Sequence, residues 1–115
     1  MTRRVAVTPL FTRRMQEILE EYAEMGAVRF VERLQRSYHD MVENISAFEE
    51  IAPARKRTIK GRKVTVREYV LDAGARSFLV LYWIPPDPVE PILLLNIRIG
   101  GQSRFQWIDT PYKPQ

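Results

Sequence analysis

The chain has 115 residues, 45% of them hydrophobic and 28% charged, the size and make-up of one globular domain rather than of a disordered segment. It contains no cysteine and one histidine, His39, which excludes a disulfide-stapled fold, a thiol nucleophile and any Cys-based or His-rich metal centre. Its 18 basic and 14 acidic residues leave a net charge of +4, mild for a protein whose partner is a polyanion. No run of 18 apolar residues is present to span a bilayer. The opening Met1–Val7 has Arg3 and Arg4 but too short an apolar run for a signal peptide, so a cytoplasmic protein without a cofactor is expected.

The charge is unevenly spread. Residues 1–50 carry seven basic and nine acidic side chains, whereas residues 51–115 carry eleven and five, so the halves stand at −2 and +6. The densest stretch is Arg55, Lys56, Arg57, Lys60, Arg62 and Lys63, with no acid among them. Such a run reads either as a solvated connecting loop or as a phosphate-facing patch.

Residues 3–7 (Arg-Arg-Val-Ala-Val) form a short predicted strand. Thr8 then Pro9 is a helix start, because threonine caps free amides and proline suits the first helical position. Apolar residues at 11, 15, 18, 22 and 25 mark one face of a helix, and Gly26 ends it. A second series, Ala27, Val31, Leu34, Tyr38, Met41, Ile45 and Phe48, keeps the three-four spacing, so the two segments make an antiparallel helical hairpin stopped by Pro53. His39 lies off that apolar stripe and reads as an exposed helix residue.

After the basic run the period changes to two. Val64–Leu71 is one predicted strand, Asp72–Ala75 a turn, Arg76–Ile84 a second strand and Ile92–Ile99 a third. The prolines at 85, 86, 88 and 91 make the segment between the last two a loop. Residues 1–109 form one domain, and residues 110–115 a loose tail. The order β-α-α-β-β-β describes an α+β fold, with the helical hairpin packed on one face of a small antiparallel sheet that the first strand joins.

A one-sided sheet alternates apolar-in and polar-out, and two of these strands do not. In 76–84 Phe78, Val80, Tyr82 and Ile84 point one way and Leu79, Leu81 and Trp83 the other. In 92–99 one face is Leu93, Leu95, Ile97 and Ile99, and the other Ile92, Leu94, Asn96 and Arg98. Two helices cover one side, so the second is expected to meet a partner chain through Leu79, Leu81, Trp83, Ile92 and Leu94. The alternative is that the C-terminal segment with Phe105 and Trp107 folds back over part of it.

The element order and several local strings resemble the RelE/ParE superfamily, the toxin halves of bacterial type II toxin–antitoxin (plasmid-stabilisation) modules. The strand before Thr8-Pro9, the helical hairpin, Arg67-Glu68-Tyr69-Val70, Arg76 to Tyr82, and Ile97-Arg98-Ile99 followed by Gly100 to Arg104 carry the resemblance. It implies a growth-arresting toxin neutralised by a cognate antitoxin, as a homodimer or as a heterotetramer with that antitoxin. It also implies a basic sheet face turned to the target, with Lys60, Arg62, Lys63 and Arg104 as binding residues. Two activities compete. One is ribosome-dependent cleavage of mRNA, for which Arg67, Arg76 and Arg98 are the matching catalytic positions. The other is poisoning of DNA gyrase by binding. Gly101 stands where the family has histidine, and no tyrosine closely follows the last strand. These departures favour the gyrase reading. A third reading is a degenerate, non-toxic interaction module.

Overall fold

The computed structural model describes residues 2–74 and 76–100. Its elements are β1 (Val5–Val7), α1 (Pro9–Glu24), α2 (Val28–Ala47), β2 (Ala54–Ile59), β3 (Arg62–Ala73), β4 (Arg76–Trp83) and β5 (Ile92–Ile99). The strands form one five-stranded sheet in the order β1-β5-β4-β3-β2. The fold is α+β, as the sequence order implies, with two departures in the sheet. The basic run is not a loop: its first part is the additional edge strand β2. The sheet is also mixed rather than antiparallel, because β1 pairs in parallel with β5 through Val5–Ile92, Ala6–Leu93 and Val7–Leu94.

Thr8 explains how β1 becomes a helix. Its extended backbone places Oγ1 to accept the Phe11 N–H at 3.1 Å, while the hydroxyl proton is shared between the carbonyls of Leu94 and Leu95, each 3.1 Å away. The cap thus nails the start of α1 to β5. At the other end Gly26 adopts φ +73°, and the N–H groups of Gly26 and Ala27 donate to the carbonyls of Ala23 and Tyr22, both at 3.0 Å. This left-handed reversal closes α1 and starts α2 two residues later.

Leu34, Met41 and Ile45 of α2, with Phe11, Ile18 and Tyr22 of α1, pack on Leu71, Phe78, Val80, Tyr82, Ile92, Leu94 and Ile97 of the sheet. Phe48 was expected in this stripe but is 68% exposed, because α2 ends at Ala47 and the backbone of Phe48 leaves the helical path at φ −136°. Met25 is exposed for the same reason, sitting at the C-cap of α1. Between the two helices runs an apolar groove of about 640 Å³ lined by Phe11, Met15, Leu19, Leu34 and Tyr38, with His39 on its rim.

A β-bulge settles the two apolar faces. Leu81 pairs with Asn96 and Tyr82 with Leu94, so Leu95 is an extra residue in β5. Across the bulge the alternation flips. Ile92, Leu94, Ile97 and Ile99 all serve the helix side, while Leu93 and Leu95 join Val66, Leu81, Val64, Leu79 and Trp83 in a second cluster on the other side, which Leu10 also touches. The strict alternation read from the sequence therefore misplaced half of β5. Ile92 and Leu94 are fully buried beneath the helices, not on the second face.

Arg3 fixes the proline-rich loop that links β4 to β5. Its guanidinium donates to the carbonyls of Glu90, Pro85 and Asp87 at 2.9, 2.9 and 2.7 Å and lies 3.4 Å from Glu49 Oε1. One side chain supplies donors that a segment with four prolines is short of, since only a residue other than proline has an N–H to give.

Candidate functional site

β2 and β3 form a hairpin with six residue pairs, from Ala54–Arg67 to Ile59–Arg62. Its two-residue turn is Lys60-Gly61, both with positive φ, 55° and 77°. That conformation matches the twist of paired strands, and the second position favours glycine. The local signal was legible: Lys-Gly lies between Arg-Thr-Ile and Arg-Lys-Val-Thr-Val, two β-prone stretches.

Making 54–59 a strand sorts its cations by parity. Arg55 pairs with Val66 and Arg57 with Val64, and both valines belong to the second cluster, so both arginines stand on the sheet face away from the helices. Glu68 follows on the same face of β3. Its Oε1 lies 3.2 Å from Arg55 Nε and its Oε2 3.7 Å from Arg57 Nη2. Two strands away, Arg98 is paired with Leu79 on this face. Only 8% of Arg98 is exposed, and Nη1 donates to the carbonyl of Ile99 at 3.3 Å. Burial pushes its guanidinium below the ordinary arginine range; the Glu68 charge opposes that shift and the Arg57 charge adds to it.

Asn96 lies beside them, fully buried, with Oδ1 accepting the Ile97 N–H at 2.8 Å. Its Nδ2 has no acceptor among the described residues. The face opposite the helices therefore carries three guanidiniums from β2 and β5, one carboxylate, a buried amide donor, and the apolar side chains of Trp83, Val64 and Leu81; Leu81, Asn96 and Arg98 are buried there, while Arg55 and Arg57 reach solvent. Arginine forks of this kind hold phosphate or carboxylate groups. Glu68 has both oxygens engaged by arginines, so the arrangement is built for holding an anion rather than for moving protons.

The residues singled out from the sequence fall in several places. Arg98 is in the cluster on the face opposite the helices. Arg67 is on the helix side of β3: its Nη1 donates to the carbonyls of Ala52 and Glu50 at 2.7 and 3.2 Å, and Nη2 lies 3.9 Å from Glu50 Oε1. Arg76, paired with the core residue Ala73, begins β4 at the opposite end of the same ladder. Arg67, Arg76 and Arg98 thus do not converge. Lys60, Arg62 and Lys63 are exposed at the tip of the hairpin. Leu79, Leu81 and Trp83 belong to the second face as expected from their parity. Arg104, Phe105 and Trp107 lie outside the described residues. Arg55, Arg57, Glu68 and Asn96 were missed as site residues, because Arg-Lys-Arg read as a loop has no faces to sort.

Among the described residues no group of three or more His, Asp or Glu side chains could hold a metal ion, and no helix is long and apolar enough to cross a membrane. The chain matches no protein-family model, no curated protein and no solved structure at a significant level.

Proposed function

We propose that this protein is a growth-arresting toxin of the RelE/ParE kind, restrained by a partner antitoxin, and that it acts by binding through the arginines of the sheet face opposite the helices. The observation that supports this most is the convergence of Arg55, Arg57 and Arg98 around Glu68 on the sheet face opposite the helices, where Arg55 and Arg57 reach solvent. Three cations against one carboxylate favour an anionic surface, and the DNA-bound gyrase complex offers one.

The reading is tested by inducing the chain alone in a bacterial host and then adding the purified protein to gyrase with supercoiled plasmid. Growth arrest with accumulation of cleaved plasmid is the expected result. Unaffected gyrase at high protein excess sinks the gyrase target, and codon-linked cuts in translated messages would assign the arrest to mRNA cleavage instead. Unimpaired growth on full expression removes the toxin reading altogether.

A further inference from the structure

We propose that the outer edge of β2 is a docking strand for an extended acidic peptide segment, kept closed in the free chain by Arg55, Glu68 and Arg57. The inference shares Arg55, Arg57 and Glu68 with the proposed binding face but concerns the sheet edge, and peptide docking there does not depend on growth arrest.

The argument begins with the ladder. Glu68 N–H donates to the Pro53 carbonyl at 3.1 Å, and in the register of this hairpin the two are opposite each other. Antiparallel pairs alternate between bonded and unbonded, so Arg55 and Arg57 turn their backbone groups to β3. Ala54, Lys56 and Thr58 turn theirs outward, to an edge with no strand beyond it among the described residues. All three are exposed.

Two of these outward carbonyls are occupied by side chains of the same strand. Arg55 Nη1 donates to the Ala54 carbonyl and Arg57 Nη1 to the Lys56 carbonyl, each at 3.0 Å. The same two guanidiniums use their other nitrogens on Glu68. Glu68 thus holds both arginines in the pose that caps the edge. An exposed edge is a template for another strand, and proteins blunt it with charge.

The cap also decides which strand is admitted. A second copy of β2 laid antiparallel on this edge would set Arg55, Lys56 and Arg57 against the same three cations, which repel. A strand with carboxylates at alternate positions does the reverse. Its carboxylates replace Glu68 on Arg55 and Arg57, and its N–H groups take the carbonyls those arginines release. Its own carbonyls receive the N–H groups of Lys56 and Thr58.

The test uses a blocked octapeptide of alternating glutamate and valine, its lysine–valine counterpart, and the glutamate peptide N-methylated at every second amide. Binding is read by fluorescence anisotropy on the full chain, and slowed hydrogen exchange at the Lys56 and Thr58 amides locates it. The glutamate peptide should bind at least about tenfold more tightly than either control, a difference of ~1.4 kcal/mol. Glu68→Gln releases the latch and should tighten binding several-fold. Lys56→Pro removes an outward N–H and leaves the β2–β3 bonds in place, so it should abolish docking while the Arg55 and Arg57 amides stay protected. Equal affinity for the glutamate and lysine peptides overturns the proposal. So does binding that survives both N-methylation and Lys56→Pro, because the strand would then be reading charge alone, as a nucleic-acid site does. The peptide arm decides the matter even if the proline variant does not fold.

Discussion

Replacing Arg67 by methionine separates a structural arginine from a ligand-binding one. The substitution keeps most of the stem and removes the two bonds that hold the segment between α2 and β2. The bond to the Ala52 carbonyl, at 2.7 Å in a residue only 5% exposed, carries most of the effect, because its loss leaves a buried acceptor without a donor. The bond to the Glu50 carbonyl is longer, 3.2 Å, and solvent can replace it. The ion pair to Glu50 is weak, at 3.9 Å to a side chain 75% exposed. Hydrogen bonds to charged groups contribute about 1.5–3 kcal/mol when buried, so the expected total loss is about 2 kcal/mol. With a urea slope of roughly 1–3 kcal/mol/M, the unfolding midpoint should fall by about 1–2 M. Because carbonyl acceptors carry no net charge, the loss should persist at high salt, where a surface ion pair is screened. An unchanged midpoint together with lost growth arrest would refute the reasoning and return Arg67 to the role its sequence context implied.

Arg57→Ala removes a partly exposed charge and should shift stability by less than about 1 kcal/mol while weakening the proposed growth arrest, read by colony counts beside a urea titration. Tyr82→Phe should cost about 1–3 kcal/mol, since the buried hydroxyl donates to the Glu49 carbonyl at 2.8 Å and accepts the Ala52 N–H at 3.3 Å. Burial holds that hydroxyl above its ordinary pKa of 10.0, so the folded chain keeps the proton that the unfolded chain sheds. Its contribution is full below pH 10 and is lost as the pH rises further, and Tyr82→Phe should flatten that decline in melts taken on either side of pH 10. Leu95→Ala should cost about 2–5 kcal/mol in the second cluster; an unshifted melting temperature would mean that this face is not packed. Thr8→Ala should cost about 0.5–2 kcal/mol through the lost cap, with Thr8→Ser recovering most of it.

The helices were legible because a threonine–proline start, a glycine stop and three-four apolar spacing all express one short-range period. β4 and β5 were legible as strands from short apolar runs bounded by glycine and proline, at Gly74 and Pro85 and at Pro91 and Gly100. What local pattern could not carry was pairing. The bulge at Leu95 appears only when β5 is laid against β4, and it reassigns Ile92 and Leu94 to the helix side. Parallel pairing of β1 depends on a contact with residues far along the chain. The arginine cluster failed for a simpler reason: six cations in nine residues look like a solvated loop until Lys60-Gly61 is recognised as a turn. A second apolar face was legible in Leu79, Leu81 and Trp83 of β4, and Arg98 entered through motif likeness. Its neighbours Arg55, Arg57 and Glu68 became visible only through strand register.

The parallel pairing of β1 with β5 sets an order of events during synthesis. Val5–Val7 leaves the ribosome well before Ile92–Leu94, its strand partner among the described residues. At roughly 5–20 residues per second, β1 waits several seconds for that partner. Thr8 waits with it, since the Leu94 and Leu95 carbonyls that share its proton are made at the same late moment. Meanwhile the meander β2-β3-β4 pairs only strands adjacent in the chain and can form before β5 arrives. The nascent chain can therefore rest α2 on β3 while α1 and β1 still await β5, whose arrival joins the two halves into one body.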